Sequence, residues 1–187
     1  MRILESGYKI RFARVEELTL LSHIEQSAAS LFLDTPYSFL VNAETLPLNF
    51  VQQRFQAGQV WVAIEQHDAV VGYAITREVD DTLYLQQIDV DPEHGHRGIG
   101  YALVDTVCSW AKVHSYRVIS LSTFRDIPWN APFYSKLGFR ALNESELTAG
   151  FQQIRLKEFE AGLPISKRVI MHCKLQPPNN PAIPERI

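Results

Sequence analysis

Three glycines and a basic residue, Gly95, Arg97, Gly98 and Gly100, stand together between a run of strand character and a run of helix character. Glycine at such a junction lets the backbone take left-handed angles and approach a ligand closely. A helix starting behind it offers unpaired N–H groups and the positive end of its dipole. Together these make an anion site, most naturally for phosphate, to which Arg97 adds a cation. The spacing excludes two familiar phosphate loops. A glycine, four residues and then Gly-Lys-Ser/Thr occurs nowhere, and a GxGxxG pattern counted from Gly98 would need glycine where Leu103 stands. A pyrophosphate held by backbone amides, with no metal, fits what remains.

Few other side chains are placed for chemistry. In Gln86-Gln87-Ile88-Asp89 only Asp89 ionises, and strand alternation sets it opposite Ile88. Ile88 and Val90 read as core side chains. His94 and His96 are possible bases, but histidines in such a loop are more often solvated. Asn130, just before Ala131 and Pro132, reads as a helix N-cap. The two cysteines, Cys108 and Cys173, form no CxxC pair or Cys/His cluster, so no zinc site is expected, and they read as buried small hydrophobes.

The elements around these residues follow from periodicity. Strands are expected over Lys9–Ala13, Val60–Glu65, Val70–Glu78, Leu83–Val90, Arg117–Phe124, Phe139–Leu142 and Lys167–Leu175. Leu18, Leu21, Ile24, Ala28 and Leu31 mark one face of a first helix. Leu48, Val51 and Phe55 mark a second, between Pro47 and Gly58. Further helices are expected from Tyr101 to about His114, over Asn130–Lys136, and from Leu147 to about Ala161. The order gives an α+β fold with a mixed sheet, an antiparallel meander leading into one βαβ unit. Residues 1–175 are expected to form a single domain. The segment 176–187, with Pro177, Pro178, Pro181 and Pro184, is expected to be a tail outside the sheet.

The chain has 187 residues, 46% of them hydrophobic, and a net charge of −3. That weak field argues against duplex nucleic acid as a partner. The start, Met1-Arg2-Ile3-Leu4-Glu5, is too short an apolar run for a signal peptide, and no stretch reaches membrane-spanning length. A cytoplasmic protein with no membrane partner is the expectation.

The stretch Ile88-Asp89-Val90-Asp91-Pro92-Glu93-His94-Gly95-His96-Arg97-Gly98-Ile99-Gly100 resembles the acetyl-CoA signature of the GNAT superfamily of N-acetyltransferases. There a strand ends in V-x-P and Q/R-x-x-G-x-G/A opens a helix. Gly98 and Gly100 match the two small positions, and Gly95 replaces the usual Gln or Arg. Trp129-Asn130-Ala131-Pro132-Phe133-Tyr134-Ser135-Lys136-Leu137-Gly138-Phe139 resembles the family's second CoA segment, which ends in fY-x-k-l-GF.

The resemblance implies a central, twisted, mostly antiparallel sheet of about seven strands flanked by helices, with one parallel pair forming the CoA cleft. It implies acetyl-CoA as co-substrate, no metal, and a primary amine of a small molecule or peptide as acceptor, attacked directly in a ternary complex; a homodimer is compatible with it. It assigns CoA contacts to Ile88, Asp89 and Val90 through their backbone, to Gly95, His96, Arg97, Gly98, Ile99 and Gly100, and to Asn130. Tyr134 matches the tyrosine that protonates the leaving thiolate. The acceptor groove falls on residues 31–45, with Tyr37 and Phe39 as candidate lining, and on the segment around Phe151. Many relatives carry an acidic base on the strand before the loop, where this chain has Gln86 and Gln87. Two further outcomes stay open: an acyl-CoA-binding module without turnover, and transfer of a longer acyl group.

Overall fold

The computed structural model describes residues 3–176. The expected proline-rich tail lies outside them apart from Gln176. The elements run β1 (Lys9–Phe12), α1 (Leu21–Ala29), α2 (Leu48–Gln56), β2 (Val60–Ile64), β3 (Val70–Val79), β4 (Thr82–Val90), α3 (Ile99–Val113), β5 (Val118–Phe124), α4 (Ala131–Lys136), β6 (Arg140–Ala141), α5 (Ala149–Glu160) and β7 (Arg168–Lys174). The strands form one sheet in the order β1-β2-β3-β4-β5-β7-β6. The α3 crossover makes β4 and β5 the one parallel pair of a mostly antiparallel sheet. This is the mixed α+β fold that the order of elements predicts.

The chain divides into two compact units. The first comprises the residues up to Glu78 together with Tyr84–Val107, and the second Val79–Leu83 with the residues from Cys108 onward. In the first, β1 pairs antiparallel with β2 from Lys9↔Ile64 to Phe12↔Trp61, and β2 pairs with β3 from Val60↔Ile75. Alternation along β2 and β3 points Val60, Val62, Ile64, Tyr73 and Ile75 to one face. Ala13, Leu18, Leu21 and Ile24 and, from α2, Val51 close over them as a single apolar cluster. In the second unit, β7 lies between β5 and β6, with Val118↔Lys174 and Arg140↔His172 among the pairs. The α5 helix begins at Thr148, whose hydroxyl accepts from the Phe151 N–H, while the Asp80 carboxylate accepts the Gly150 N–H at 3.1 Å. An acidic group is favoured at that end of a helix.

Several boundaries differ from the sequence expectation. The first helix ends at Ala29 and tightens into a 3-10 turn, Ser30–Phe32. Three residues per turn instead of 3.6 rotate Leu31 off the buried stripe, and it is exposed. The α3 helix opens at Ile99, so Gly100 lies in its first turn and not in the loop before it. The strand expected over Phe139–Leu142 shortens to two residues, although Phe139 and Leu142 are both buried.

Leu103, Val104, Val107 and Ala111 form the buried face of α3. Leu103 is fully enclosed, so Leu103→Ala should lower unfolding stability by about 3 kcal/mol. A shift of the urea midpoint at unchanged slope is the measurement, and a neutral result would mean that this face is not packed.

Candidate active site

The loop that carries the glycines is built by short-range bonds. After β4, the Asp91 carboxylate accepts the Glu93 N–H at 3.0 Å and starts a 3-10 turn, Pro92–His94, which the Gly95 N–H closes onto the Pro92 carbonyl. The expectation that the glycines supply left-handed backbone holds at only one of these loop positions. Gly98 has φ +81°, whereas Gly95 is extended at φ −62° and His96 takes φ +62°. A side chain at Gly98 would also bring its Cβ to 2.7 Å from the Ile3 carbonyl oxygen. The chain entering β1 lies against this loop. The Glu5 N–H donates to the Arg97 carbonyl at 3.1 Å, and the Tyr8 hydroxyl and His94 Nδ1 are 2.9 Å apart. His94 is thereby held by Tyr8. His96 and Arg97 are exposed, and the Arg97 guanidinium stands 5.9 Å from the Tyr8 ring centre. Behind them Ile99 opens α3, a helix of 15 residues whose first N–H groups have no partners within the helix.

The strand before the loop shows what its two glutamines do. Gln86 Oε1 accepts from Arg77 Nε at 2.7 Å. Gln87 Nε2 donates to Asp89 Oδ2 at 2.8 Å, so Gln87 and Asp89 share a face, as their spacing of two requires. Asp89 also lies near enough to the Tyr73 hydroxyl for each to shift the other's ionisation. That hydroxyl lies 3.3 Å from Glu25 Oε2, and Glu25 in turn accepts the Leu46 N–H at 3.0 Å. Desolvation raises the Glu25 carboxyl to about 7, with the Asp89 charge adding to the rise. Desolvation likewise raises Asp89 to about 6 against the pull of Gln87 and Tyr73. Burial and then the two carboxylates push the Tyr73 hydroxyl well above its ordinary range.

Glu25 and Tyr73 border a cavity of about 160 Å³ whose other walls are Leu18, Thr19, Leu21, Ser22, Leu46, Leu48 and Val51. Tyr37 and Phe39 do not line it: Tyr37 is buried and Phe39 exposed. Sequence reasoning missed Glu25 and Tyr73. The signal was present, since Glu25 follows Leu21 by four residues and so adjoins the apolar stripe of α1. Tyr73 alternates in phase with Ile75.

The second unit holds Asn130 and Tyr134. Asn130 stands at the N-cap of α4, but its side chain does not cap. Pro132 has no N–H to offer, and the Phe133 N–H donates to the Asn130 backbone carbonyl at 2.8 Å. Asn130 Oδ1 instead accepts the Thr123 hydroxyl at 2.5 Å, fixing the segment to β5. Tyr134 is buried in α4, its ring edge-on to Phe133 and Phe139 at 5.1 and 5.6 Å. Cys108 and Cys173 are half-buried, not fully buried as expected. Among the described residues no group of three or more His, Cys, Asp or Glu side chains could hold a metal ion. No helix among them is long and apolar enough to cross a membrane.

The raised carboxyls have a consequence for stability. Glu25 binds its proton more tightly folded than unfolded, so the native state holds extra protons between the ordinary 4.5 and about 7. Stability from this group is present below that window and lost as pH rises through it. Glu25→Gln should therefore flatten the fall in melting temperature from pH 4.5 to about pH 8 relative to the unsubstituted chain. Parallel melting curves against pH for the two proteins would contradict the assignment.

The model of the acetyltransferase (GNAT) family matches residues 24–139. The chain is 33% identical to the N-acetylaspartate synthetase of Danio rerio over 87 residues, which is 46% of this chain and 31% of that protein. It therefore spans under a third of the length of that curated relative. Among solved structures it is similar to a GNAT-family acetyltransferase from Staphylococcus aureus Mu50, at TM-score 0.69 and 20% identity, covering 91% of this chain and 100% of the other. It is also similar to the PaiA N-acetyltransferase of Thermoplasma acidophilum in complex with coenzyme A, at TM-score 0.65 and 18% identity, covering 90% and 99%. At these identities the structural likeness speaks for the fold. With the family model spanning more than half of its residues, the chain belongs to the GNAT acetyltransferase family.

Proposed function

We propose that the chain is an acetyl-CoA-dependent N-acetyltransferase that moves the acetyl group onto a primary amine by direct attack in a ternary complex. The observation that carries this reading is the junction after β4, where a left-handed Gly98 turns the chain into the N-terminus of a long helix. Amides pointing out of such a turn bind pyrophosphate without metal. In this reading Gly95, His96, Arg97, Gly98, Ile99 and Gly100 hold the pyrophosphate. The backbone of Ile88, Asp89 and Val90 lines the pantetheine arm, and a backbone N–H near Ile88 polarises the thioester carbonyl. Asn130 contacts CoA from the second segment, and the setting is cytoplasmic.

An ammonium must lose a proton before its nitrogen attacks. Asp89 is the group this chain offers. Its carboxyl, raised to about 6, is largely ionised at neutral pH and still basic enough to take a proton. The amine nitrogen then bonds to the carbonyl carbon, the carbon–sulfur bond breaks, and Tyr134 gives its phenolic proton to the departing thiolate. This reading is favoured over a binding module without turnover because Asp89 supplies the base that Gln86 and Gln87 lack.

Two measurements test it. Titration calorimetry should show acetyl-CoA binding in the presence of a chelator, and a thiol-release screen over amino acids, polyamines, aminoglycosides and peptide N-termini should find an acceptor. Tyr134→Phe should then cut turnover by about a hundredfold with little change in acetyl-CoA affinity. Binding with no thiol release for any amine would favour the binding module instead.

A further inference from the structure

The glycine loop is held from outside as well as by its own turn. The chain leading into β1 runs along it, and residues 3–8 belong to the same compact unit as the loop. The Arg97 carbonyl accepts the Glu5 N–H at 3.1 Å, and the Ile3 carbonyl lies where a side chain at Gly98 would stand. The Leu4 Cα is 3.2 Å from that same place. Gly98 is therefore required twice, by its left-handed backbone and by the segment packed against it. Gly7, at φ +102°, then turns the chain toward β1, and the Tyr8 N–H reaches back to the Glu5 carbonyl at 3.4 Å.

Tyr8 reaches the loop at two points. Its hydroxyl is 2.9 Å from His94 Nδ1, and its ring meets the His94 imidazole edge-on at 5.8 Å. The other face of the contact is Arg97, whose guanidinium stands 5.9 Å from the ring centre, within cation–π range. The hydrogen bond survives either form of the imidazole, because a phenol can donate or accept. Tyr8 is half-buried, whereas His96 and Arg97 are exposed. Gly95 and Gly98 have no side chains with which to pack, so the loop takes its order from these neighbours.

We propose that residues 3–8 brace the phosphate loop and that Tyr8 is a positioning residue for pyrophosphate binding. For its ligand this rests on the acetyl-CoA reading. An anion site made of backbone amides needs those amides to converge before the ligand arrives. A loop that is ordered only on binding loses affinity by the entropy of ordering it. The bond from Glu5 to the Arg97 carbonyl and the Ile3 carbonyl behind Gly98 remove that loss at the turn into α3. Tyr8 holds the start of the loop through His94 and keeps the Arg97 cation beside it for the phosphates. Tyr8 acts through these two residues, on binding and not on acetyl transfer.

Amide hydrogen exchange at short labelling times tests the brace without any ligand. In Tyr8→Leu the amides of residues 94–100 should exchange about tenfold faster than in the unsubstituted chain, with those of β2 unchanged. Unaltered exchange in the loop, or an equal acceleration in β2, overturns the brace. Titration calorimetry with coenzyme A then tests what the brace does. Tyr8→Phe, which keeps the ring and loses the hydroxyl, should weaken binding about fivefold, and Tyr8→Leu about twentyfold. Glu5→Pro, which removes the N–H given to Arg97 and leaves Tyr8 in place, should weaken it about fivefold. With an acceptor amine in hand, each variant should raise KM for acetyl-CoA at unchanged kcat, a split that general loosening of the fold would not give. Unchanged coenzyme A affinity in all three variants, or a fall in kcat at unchanged KM, overturns the binding role. Should the unsubstituted chain bind no coenzyme A, the acetyl-CoA reading and the binding role fall together, while hydrogen exchange still decides the brace.

Discussion

The hydroxyl of Tyr73 is the constraint on which the first unit turns. Its ring belongs to the apolar cluster that α1 and α2 close over β2 and β3, and it is almost fully enclosed. A phenol so placed contributes its ring area to the core but must find a polar partner for its oxygen. The hydrogen-bond partner is Glu25 from α1, and the charge of Asp89 at the end of β4 acts on the same hydroxyl. Satisfying one hydroxyl therefore helps to fix how α1 lies on the sheet. Slipping β4 by one residue would turn Ile88 toward Tyr73 in place of Asp89.

That arrangement costs stability and supplies chemistry for the same reason. Two carboxyls removed from water lose hydration that one tyrosine and one glutamine cannot replace, so both hold protons more tightly than exposed acids do. A fold selected for stability alone would place apolar side chains there, since the surrounding walls are leucine and valine. Carboxyls poised between pH 6 and 7 instead can gain and lose a proton under neutral conditions, which a surface carboxylate does not do. In the proposed reading, direct attack by an amine would make that demand at the strand that leads into the glycine loop.

Much of this was legible in the sequence because it depends on local periodicity. The seven strands, the βαβ unit and the positions of Gly98, Asn130 and Tyr134 follow from alternation, helical spacing and turn residues, and the structure places them there. What the sequence hid depends on contacts across distance. Glu25 and Asp89 are separated by more than sixty positions, and nothing local to either marks it as buried beside a tyrosine. The same limit explains the errors. Asn130 carries the residue type of an N-cap, yet Pro132 withdraws one N–H, and Thr123, seven residues earlier, claims the side chain. Gly95 looked like a left-handed turn position, but that conformation falls to His96, one of the few non-glycine residue types enriched at φ above zero.

The two faces of β4 separate two tasks that sequence alone runs together. Gln86 points with Ile88, and its amide oxygen is tied to Arg77, which also lies over the Tyr84 ring at 4.9 Å. Gln87 points with Asp89 and gives that carboxylate a donor at 2.8 Å. Adjacent glutamines therefore do opposite work: one accepts from a cation and braces the strand, the other donates to an acid and steadies its charged form. A glutamate in place of Gln87 would set a second negative charge beside Asp89 and raise its affinity for protons further. A glutamine there leaves Asp89 as the single acid on that face of β4. The absence of an acid at positions 86 and 87 is then what allows the next inward-facing residue to be one.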